Sequence, residues 1–195
     1  MQAVRDLHDD RRLFDRVVAR DESALGELYD RHSALIFGLV LRILRNRTDA
    51  EDVLQEVFVQ VWTRAASYDA ALGAPAAWMV RIARNRAIDR LRASRTRERA
   101  VGQIEAPMPV ETPERGAARS ETRHAVLRVL EALPADQRRL IEHAYFEGRT
   151  QSELAELFGL PLGTVKTRVR AGMLALRRGL AAHHQAVGVD HGRPD

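Results

Sequence analysis

The stretch TQSELAELFGLPLGTVKTRVRAGMLALRR, residues 150–178, decides the fold of the second half of this chain. Thr150 stands three residues before Glu153, the spacing at which two side chains cap a helix reciprocally. Two glycines and a proline then interrupt the helical pattern between residues 159 and 163, and a longer helical pattern follows. We therefore predict a helix-turn-helix closed by apolar side chains of both helices, namely Leu154, Leu157, Phe158, Val165, Val169 and Leu174.

The second of these helices is cationic from its first turns, since residues 162–178 contain no acidic side chain. In a helix-turn-helix, side chains near the start of the second helix reach base edges in the DNA major groove. The pattern therefore favours a DNA-reading surface, and the alternative is a helical hairpin whose cationic face is only solvated. The residues expected to contact DNA are Thr164, Lys166, Thr167, Arg168 and Arg170.

The rest of the chain is also helical in its apolar periodicity, and no segment shows sustained strand alternation between turn signals. We predict an all-α protein of two small helical domains joined by a flexible linker that is rich in Pro, Gly, Glu and Arg. The predicted parts are a first domain over 10–94, the linker over 95–121, a second domain over 122–182 and a disordered tail over 183–195. The predicted helices lie near 10–20, 22–46, 49–67, 75–94, 122–132, 135–147, 151–158 and 162–181.

The composition limits the classes of function that need to be considered. The chain has 195 residues, a net charge of +4 and no cysteine, which excludes disulfides and thiolate metal ligands within it. Lys166 is the one lysine among 31 basic residues, so the positive charge is almost wholly guanidinium, which binds phosphate and guanine bidentately. The charged N-terminus lacks the apolar core of a signal peptide, and no apolar run is long enough to cross a bilayer. We expect a cytoplasmic protein without membrane insertion.

An acidic stripe marks the predicted helix TDAEDVLQEVFVQVW, residues 48–62. Thr48 and Glu51 have the spacing of a capping box, and the apolar residues that follow recur on one side of the helix. Carboxylates three and four residues apart form a stripe on another side, which suits a basic protein surface better than DNA. The alternative is a solvated acidic face favoured near a helix N-terminus. The candidate protein-binding residues are Asp49, Asp52, Gln55 and Glu56.

The last helix of the first domain is strongly basic. Residues 81–99 hold eight arginines against two acidic residues. A cationic helix with an aromatic residue at its start can follow phosphates and hold an unstacked base. For Trp78 taken alone, a place in the core is an equally good interpretation. Residues at helical spacing predict a nucleic-acid face made of Trp78, Arg81, Asn85 and Arg92, opposite a buried face made of Val80, Ala83, Ala87 and Leu91.

These three motifs, in this order, resemble the RNA polymerase sigma factors of bacteria. DVLQE at 52–56 matches their polymerase-binding motif, and AWMVRIARNRAIDRLR at 77–92 resembles the helix that engages the minus-ten promoter element. The segment from Leu133 to Arg178 is similar to their reader of the minus-thirty-five element. Two domains and a short linker, with nothing else, resemble the extracytoplasmic-function group.

The resemblance implies a protein that lends promoter specificity to RNA polymerase and is not an enzyme. Its acidic helix would dock on the clamp of the largest polymerase subunit, and the two domains would bind promoter DNA. For the recognition helix the family implies base or nearby phosphate contact by Lys166, Thr167 and Arg170, and phosphate contact by Thr164 and Arg168. An anti-sigma protein that covers the polymerase- and DNA-binding faces is a further expected partner.

Two other classes of function remain open from the residues themselves. A conventional helix-turn-helix regulator would use the same C-terminal block, but it would need a sensing or dimerising domain in place of the acidic stripe. An enzyme is disfavoured because the chain has no cysteine, no His-Glu-x-x-His pattern and no phosphate-cradling glycine loop. We expect no cofactor and no metal site, and we interpret His183, His184 and His191 as solvated.

Overall fold

The structure is a computed structural model that describes residues 2–101 and 127–189, with side chains described over 8–97 and 127–180. It consists of two compact units, Met1–Pro113 and Glu114–Asp195. In the described ranges the regular structure is helical, in agreement with the predicted all-α class. No helix within those ranges has the length and apolar character needed to span a membrane.

Over residues 2–101, the first unit has four α-helices around a shared apolar core. Helix α2 packs against α1, α3 and α4, so it is the central element of the unit. Every helix contributes side chains that are almost fully buried, including Phe14, Val17, Leu28, Ile36, Val40, Val53, Val57, Val61 and Met79. The four helices are α1 (Gln2–Val18), α2 (Glu22–Leu44), α3 (Arg47–Arg64) and α4 (Pro75–Val101), with short 3-10 turns at Ala65–Ser67 and Ala70–Leu72 between the last two.

The ends of α2 are fixed by local contacts. At its start, the Asp21 side chain accepts hydrogen bonds from the backbone N–H groups of Ser23 and Ala24. The Ser23 hydroxyl and the Arg16 guanidinium also bind this carboxylate, and these hydrogen bonds lower the pKa of Asp21 from 3.8 to about 2. At the other end, Arg45 adopts the left-handed conformation at φ 54° and closes the helix.

The predicted capping box at Thr48 and Glu51 is wrong. Helix α3 begins two residues earlier, and its N-cap is Asn46, whose side-chain oxygen accepts a hydrogen bond from Asp49 N at 3.0 Å. The left-handed turn at Arg45 explains the shift, because it ends α2 soon enough for Asn46 to take the capping position. Glu51 instead pairs with the Arg47 guanidinium at 2.8 Å.

Two helices of the first unit are longer than the sequence pattern predicted. Helix α1 begins at Gln2, whereas the prediction placed its start near residue 10. Helix α4 continues to Val101, through the first residues of the segment predicted as a linker. In both places the added residues include no glycine or proline, so nothing local stops the helix. The remainder of the predicted linker up to residue 121 lies outside the described residues.

The second unit contains the predicted helix-turn-helix. Its helices are α5 (Ala135–Phe146), α6 (Gln151–Phe158) and α7 (Leu162–Val189), and residues 127–131 are also helical. The capping box of Thr150 and Glu153 is confirmed, with both reciprocal hydrogen bonds present. Gly159, at φ 61°, ends α6 in the left-handed conformation that glycine adopts without strain.

The core of this unit lies where α5, α6 and α7 meet. Leu140, Leu154 and Val165 are buried together, one from each helix, and the partly buried Phe158 and Val169 pack against them. Leu157 and Leu174 were predicted to join this core and do not, because they are 49% and 46% exposed. Leu140 replaces them, and it comes from α5, which the two-helix pattern did not include. Helix α7 also extends beyond residue 182, so the predicted tail is helical as far as Val189, and residues 190–195 lie outside the described residues.

Candidate nucleic-acid and protein interfaces

The acidic stripe lies on one face of α3, as its spacing predicted. The side chains of Asp49, Asp52 and Glu56 are 39%, 53% and 44% exposed, and Gln55 beside them is exposed. Buried valines and leucine on the opposite side of the helix hold this face outward. The structure therefore places all four predicted protein-binding residues on one accessible surface, which we call the acidic face.

The acidic face carries a counter-ion that the sequence did not predict. Arg90 of α4 reaches across to α3 and contacts three carboxylates, with its Nε 3.0 Å from Asp49 Oδ1 and its Nη2 2.7 Å from Asp52 Oδ2. Its Nη1 lies 3.4 Å from Glu56 Oε1. These contacts, led by the hydrogen bond to Asp49, raise the pKa of Arg90. Arg86 adds a longer contact of 3.8 Å to Glu56.

The arginines of α4 are therefore divided between two sides of the helix. At about 100° per residue, the four residues predicted to bind nucleic acid lie within an arc of about 60°. Arg86 and Arg90 lie about 80° or more beyond that arc and face the carboxylates of α3. Part of the positive charge counted from the sequence therefore faces carboxylates of the same unit. The four residues that share the other side are Trp78, Arg81, Asn85 and Arg92.

A pocket of about 200 Å³ opens beside the start of α4, between this helix and the loop that precedes it. Tyr68 closes the loop, since its hydroxyl donates a hydrogen bond to the Gly73 carbonyl at 2.7 Å. Gly73 has φ 140°, a conformation that favours glycine. The pocket is lined by Tyr68, Asp69, Leu72, Gly73, Ala74, Ala77, Trp78 and Arg81.

Trp78 contributes both to the core and to the wall of this pocket. Its ring packs edge-on against Phe14 of α1, with centroids 5.6 Å apart, and lies 6.1 Å from the Tyr68 ring. The side chain is half-buried and also lines the pocket, so it belongs to the edge of the core and to the candidate site. Leu72 is 77% exposed at this pocket, which makes it a functional candidate that sequence reasoning missed. The signal in the sequence that could have identified Leu72 is an apolar residue next to a glycine in a connecting loop.

The residues of α7 that were predicted to contact DNA lie in two groups on the helix. Lys166, Thr167 and Arg170 are exposed and lie within an arc of about 100°. Thr164 and Arg168 are half-buried and lie on another side of the helix. The Thr167 hydroxyl donates to the Gly163 carbonyl at 2.9 Å, which leaves its methyl group and oxygen lone pairs for other contacts.

Arg168 has a partner within its own unit. Its Nε lies 3.1 Å from Oδ2 of Asp136, which is in the first turn of α5. The side chains of the pair are 37% and 46% exposed, so solvent weakens the interaction. The contact uses Nε, and the two terminal nitrogens of the guanidinium remain for a phosphate. Sequence reasoning placed Arg168 near phosphate but did not identify its carboxylate partner.

Among the side chains described over 8–97 and 127–180, no three His, Asp or Glu residues are grouped so that they could hold a metal ion. The acidic face is the densest group of carboxylates described above, and two arginines compensate it. The tail histidines interpreted from the sequence as solvated have no described side chains.

Comparisons with known proteins support the motifs. Residues 28–97 match the Sigma-70 region 2 family, and residues 123–176 match the Sigma-70 region 4 family. The chain is 35% identical over 169 residues to the ECF RNA polymerase sigma factor SigK of Mycolicibacterium vanbaalenii, which covers 85% of this chain and 86% of that protein. The SigK of Mycobacterium ulcerans is 34% identical over 178 residues, covering 89% and 95%. The solved Rhodobacter sphaeroides SigE in complex with the anti-sigma ChrR is 29% identical, with coverage of 87% and 97% and a TM-score of 0.46.

Proposed function

This chain belongs to the extracytoplasmic-function group of RNA polymerase sigma factors, and we propose which of its surfaces carries out each step of that function. As a sigma factor it binds RNA polymerase core and directs promoter-specific transcription initiation. Family membership favours this function over that of a conventional helix-turn-helix regulator. We propose that it acts in the cytoplasm, where the polymerase is, and that binding alone accounts for its role.

The main observation behind the proposed roles of the first unit is that its acidic and basic surfaces are separate. The acidic face of α3 and the basic, aromatic side of α4 belong to one compact helical unit. The residues of that side of α4 lie about 80° or more around the helix from the arginines that contact the acidic face. A surface that attracts cations and a surface that attracts phosphates would interfere with each other if they overlapped. Their separation lets one unit hold the polymerase and the promoter at the same time.

The acidic face is proposed to dock on the clamp of the largest polymerase subunit. Its exposed carboxylates, Asp49, Asp52 and Glu56, can accept charge-assisted hydrogen bonds from basic side chains, and Gln55 can donate or accept one. Opposite charges across such a surface also speed up association and fix its orientation. Buried apolar residues on the other side of α3 make the face rigid, which reduces the entropy lost on binding.

The side of α4 that carries Trp78 is proposed to engage the minus-ten element as its strands separate. The pocket has aromatic walls from Tyr68 and Trp78, which suit the face of an unstacked base. Arg81 lines the same pocket and can neutralise a phosphate beside that base. Arg92 and Asn85 continue along the same side of the helix and would follow the strand.

Helix α7 is proposed to read the minus-thirty-five element in the major groove. Lys166, Thr167 and Arg170 form its exposed arc and are placed to reach base edges or nearby phosphates. Thr164 and Arg168 lie to the side, where phosphate contact is the expected role. The core of Leu140, Leu154 and Val165 packs against the buried side of this helix, so its orientation depends on α5 and α6.

The two units are proposed to act as separate domains, joined by a flexible linker in the part of the predicted segment 95–121 that follows the end of α4 at Val101. Separate domains would let one protein contact two promoter elements at a distance from each other. Family membership also supports an anti-sigma protein as a partner, which would cover the acidic and DNA-binding faces until it is released. Co-purification of the full chain from its own cells, with and without inducing stress, would identify such a partner.

Binding to purified polymerase core tests the docking proposal. Asp52→Asn should weaken the affinity about threefold to tenfold, because it removes one exposed carboxylate from the acidic face. Glu51→Gln is the matched control, since Glu51 is the next residue, is similarly exposed at 50%, and points toward Arg47. Equal affinities for both variants and the unmodified chain would contradict docking through this face.

The DNA-binding proposals predict failure at different steps. Lys166→Ala or Arg170→Ala should weaken binding to an upstream duplex about tenfold, while Arg178→Ala, further along α7, serves as the control. Leu72→Ala or Arg81→Ala should leave that binding intact and reduce the open complex, measured by permanganate reactivity of unpaired thymines. If the pocket variants lose upstream binding and the α7 variants keep it, the two surfaces are assigned to the wrong elements.

A further inference from the structure

Arg90 is the point of contact between the acidic face and the DNA-binding helix. Its one guanidinium meets three carboxylates of α3, two of them at 3.0 Å or less. Each Arg90 contact involves one oxygen of the carboxylate, so Asp49 and Asp52 each keep a second oxygen for another donor. The second oxygen of Glu56 lies 3.8 Å from Arg86 Nη1. Together with Arg86, Arg90 places two positive charges against three negative charges in the free protein.

The carboxylates remain accessible in spite of these contacts. Arg90 is 30% exposed and Asp52 53% exposed, so water and an incoming side chain can both reach the pair. A salt bridge of this kind is weak and exchanges readily, because solvent screens it and the side chains lose entropy in forming it. A basic residue of a partner would therefore meet carboxylates that are compensated but not blocked.

We propose that Arg90 is an internal counter-ion that competes with the basic side chains of the polymerase for the acidic face, and thereby sets the affinity for core. The inference rests on the proposed docking through Asp52 and Glu56. In the free chain the guanidinium of Arg90 occupies part of the site. When the polymerase docks, its cations share or replace those contacts, and the positive charge of Arg90 opposes their approach.

A role for Arg90 in positioning the carboxylates would have the opposite effect on affinity. The spacing of the carboxylates is already fixed by the backbone of α3, whose buried residues Val53 and Val57 anchor the helix. Their exposure of 39% to 53% also means that water solvates them without Arg90. Competition by Arg90 is therefore a larger effect than positioning by Arg90. Removal of the guanidinium should strengthen binding to polymerase core.

Substitution of Arg90 in the full chain, with purified polymerase core, tests the inference. Arg90→Gln should bind core about threefold to tenfold more tightly at low ionic strength, and the gain should shrink as salt is added. Arg90→Lys keeps the charge but loses the planar fork, so its affinity should stay close to that of the unmodified chain. Arg97→Gln is the matched control, since it removes the same charge from the same side of α4, further along the helix, where Arg97 bonds the Ala93 carbonyl.

Combination with Asp52→Asn separates this inference from the docking proposal. If Arg90 competes for the Asp52 carboxylate, the gain from Arg90→Gln should be smaller in the Asp52→Asn background. A full gain there, or an Arg90→Gln variant that binds no more tightly than the unmodified chain, would overturn the inference. Loss of affinity in Arg90→Lys as well as in Arg90→Gln would identify a positioning residue instead. An Asp52→Asn variant with unchanged affinity would show that the docking proposal itself is wrong.

Discussion

Gly172 lies on α7 where this helix packs against α5, and the structure explains why glycine is needed there. A Cβ atom at this position would lie 2.5 Å from Ile141 Cδ1 and 3.4 Å from Gln137 Cβ. Ile141 is only 6% exposed, so its terminal methyl group has little free space into which it could rotate. The absence of a side chain at Gly172 thus permits the close approach of the two helices.

Two effects of opposite sign decide the outcome of Gly172→Ala. Alanine in place of glycine within a helix contributes about 1 kcal/mol to stability. Overlap of the new methyl group with a buried side chain costs about 1–3 kcal/mol. We expect the overlap to be larger, so Gly172→Ala should destabilise the second unit by about 1 kcal/mol.

Removal of the Ile141 Cδ1 methyl group should reverse the sign of the effect of Gly172→Ala on stability. Ile141→Val deletes Cδ1 and by itself costs about 1 kcal/mol. In this background the overlap is gone and the helical preference of alanine remains, so Gly172→Ala should stabilise by about 0.5–1 kcal/mol. The two substitutions are therefore expected to be coupled by about 2 kcal/mol.

Hydrogen exchange of the α5 and α7 amides in the full chain measures these differences for the second unit alone. Gly163→Ala is the control, because a Cβ atom there meets nothing within 4 Å. Affinity for an upstream duplex, measured in parallel, should fall with Gly172→Ala if the contact with α5 orients the recognition helix. Equal stabilisation by Gly172→Ala in both backgrounds would refute the steric reasoning.

Three further predictions follow from ion pairs in the structure. Asp136→Asn should free Arg168 for phosphate, so sequence-independent duplex binding should become tighter and the slope of log K against log salt steeper by up to about one unit. Asp10→Ala should destabilise the first unit by about 2 kcal/mol in thermal unfolding, because it leaves the half-buried His32, now 2.9 Å from the Asp10 carboxylate, without this partner. Asp21→Asn should lower stability at neutral pH, because the carboxylate contributes fully above its unfolded pKa of 3.8. This contribution is lost as the pH falls through the folded pKa of about 2, and below that pH the two proteins should unfold alike.

Much of the second unit could be predicted because its contacts are local. Thr150 and Glu153 cap α6 across three residues, and the turn at Gly159 follows from a conformation that glycine alone adopts freely. The core was predicted less well, since Leu157 and Leu174 fit the helical period but face solvent. The period gives a residue's direction around its helix, whereas burial also depends on where the neighbouring helix lies.

The sequence by itself determined the helical class, the helix-turn-helix and the two charged faces, because these depend on residues a few positions apart on one helix. Only the tertiary structure decided which charges are compensated and where the pocket forms. Arg90 and Asp52 are 38 residues apart along the chain, and their contact exists because α3 and α4 pack together. Residue spacing on one helix contains no information about such a pair, since the relative placement of two helices is set by the whole core between them.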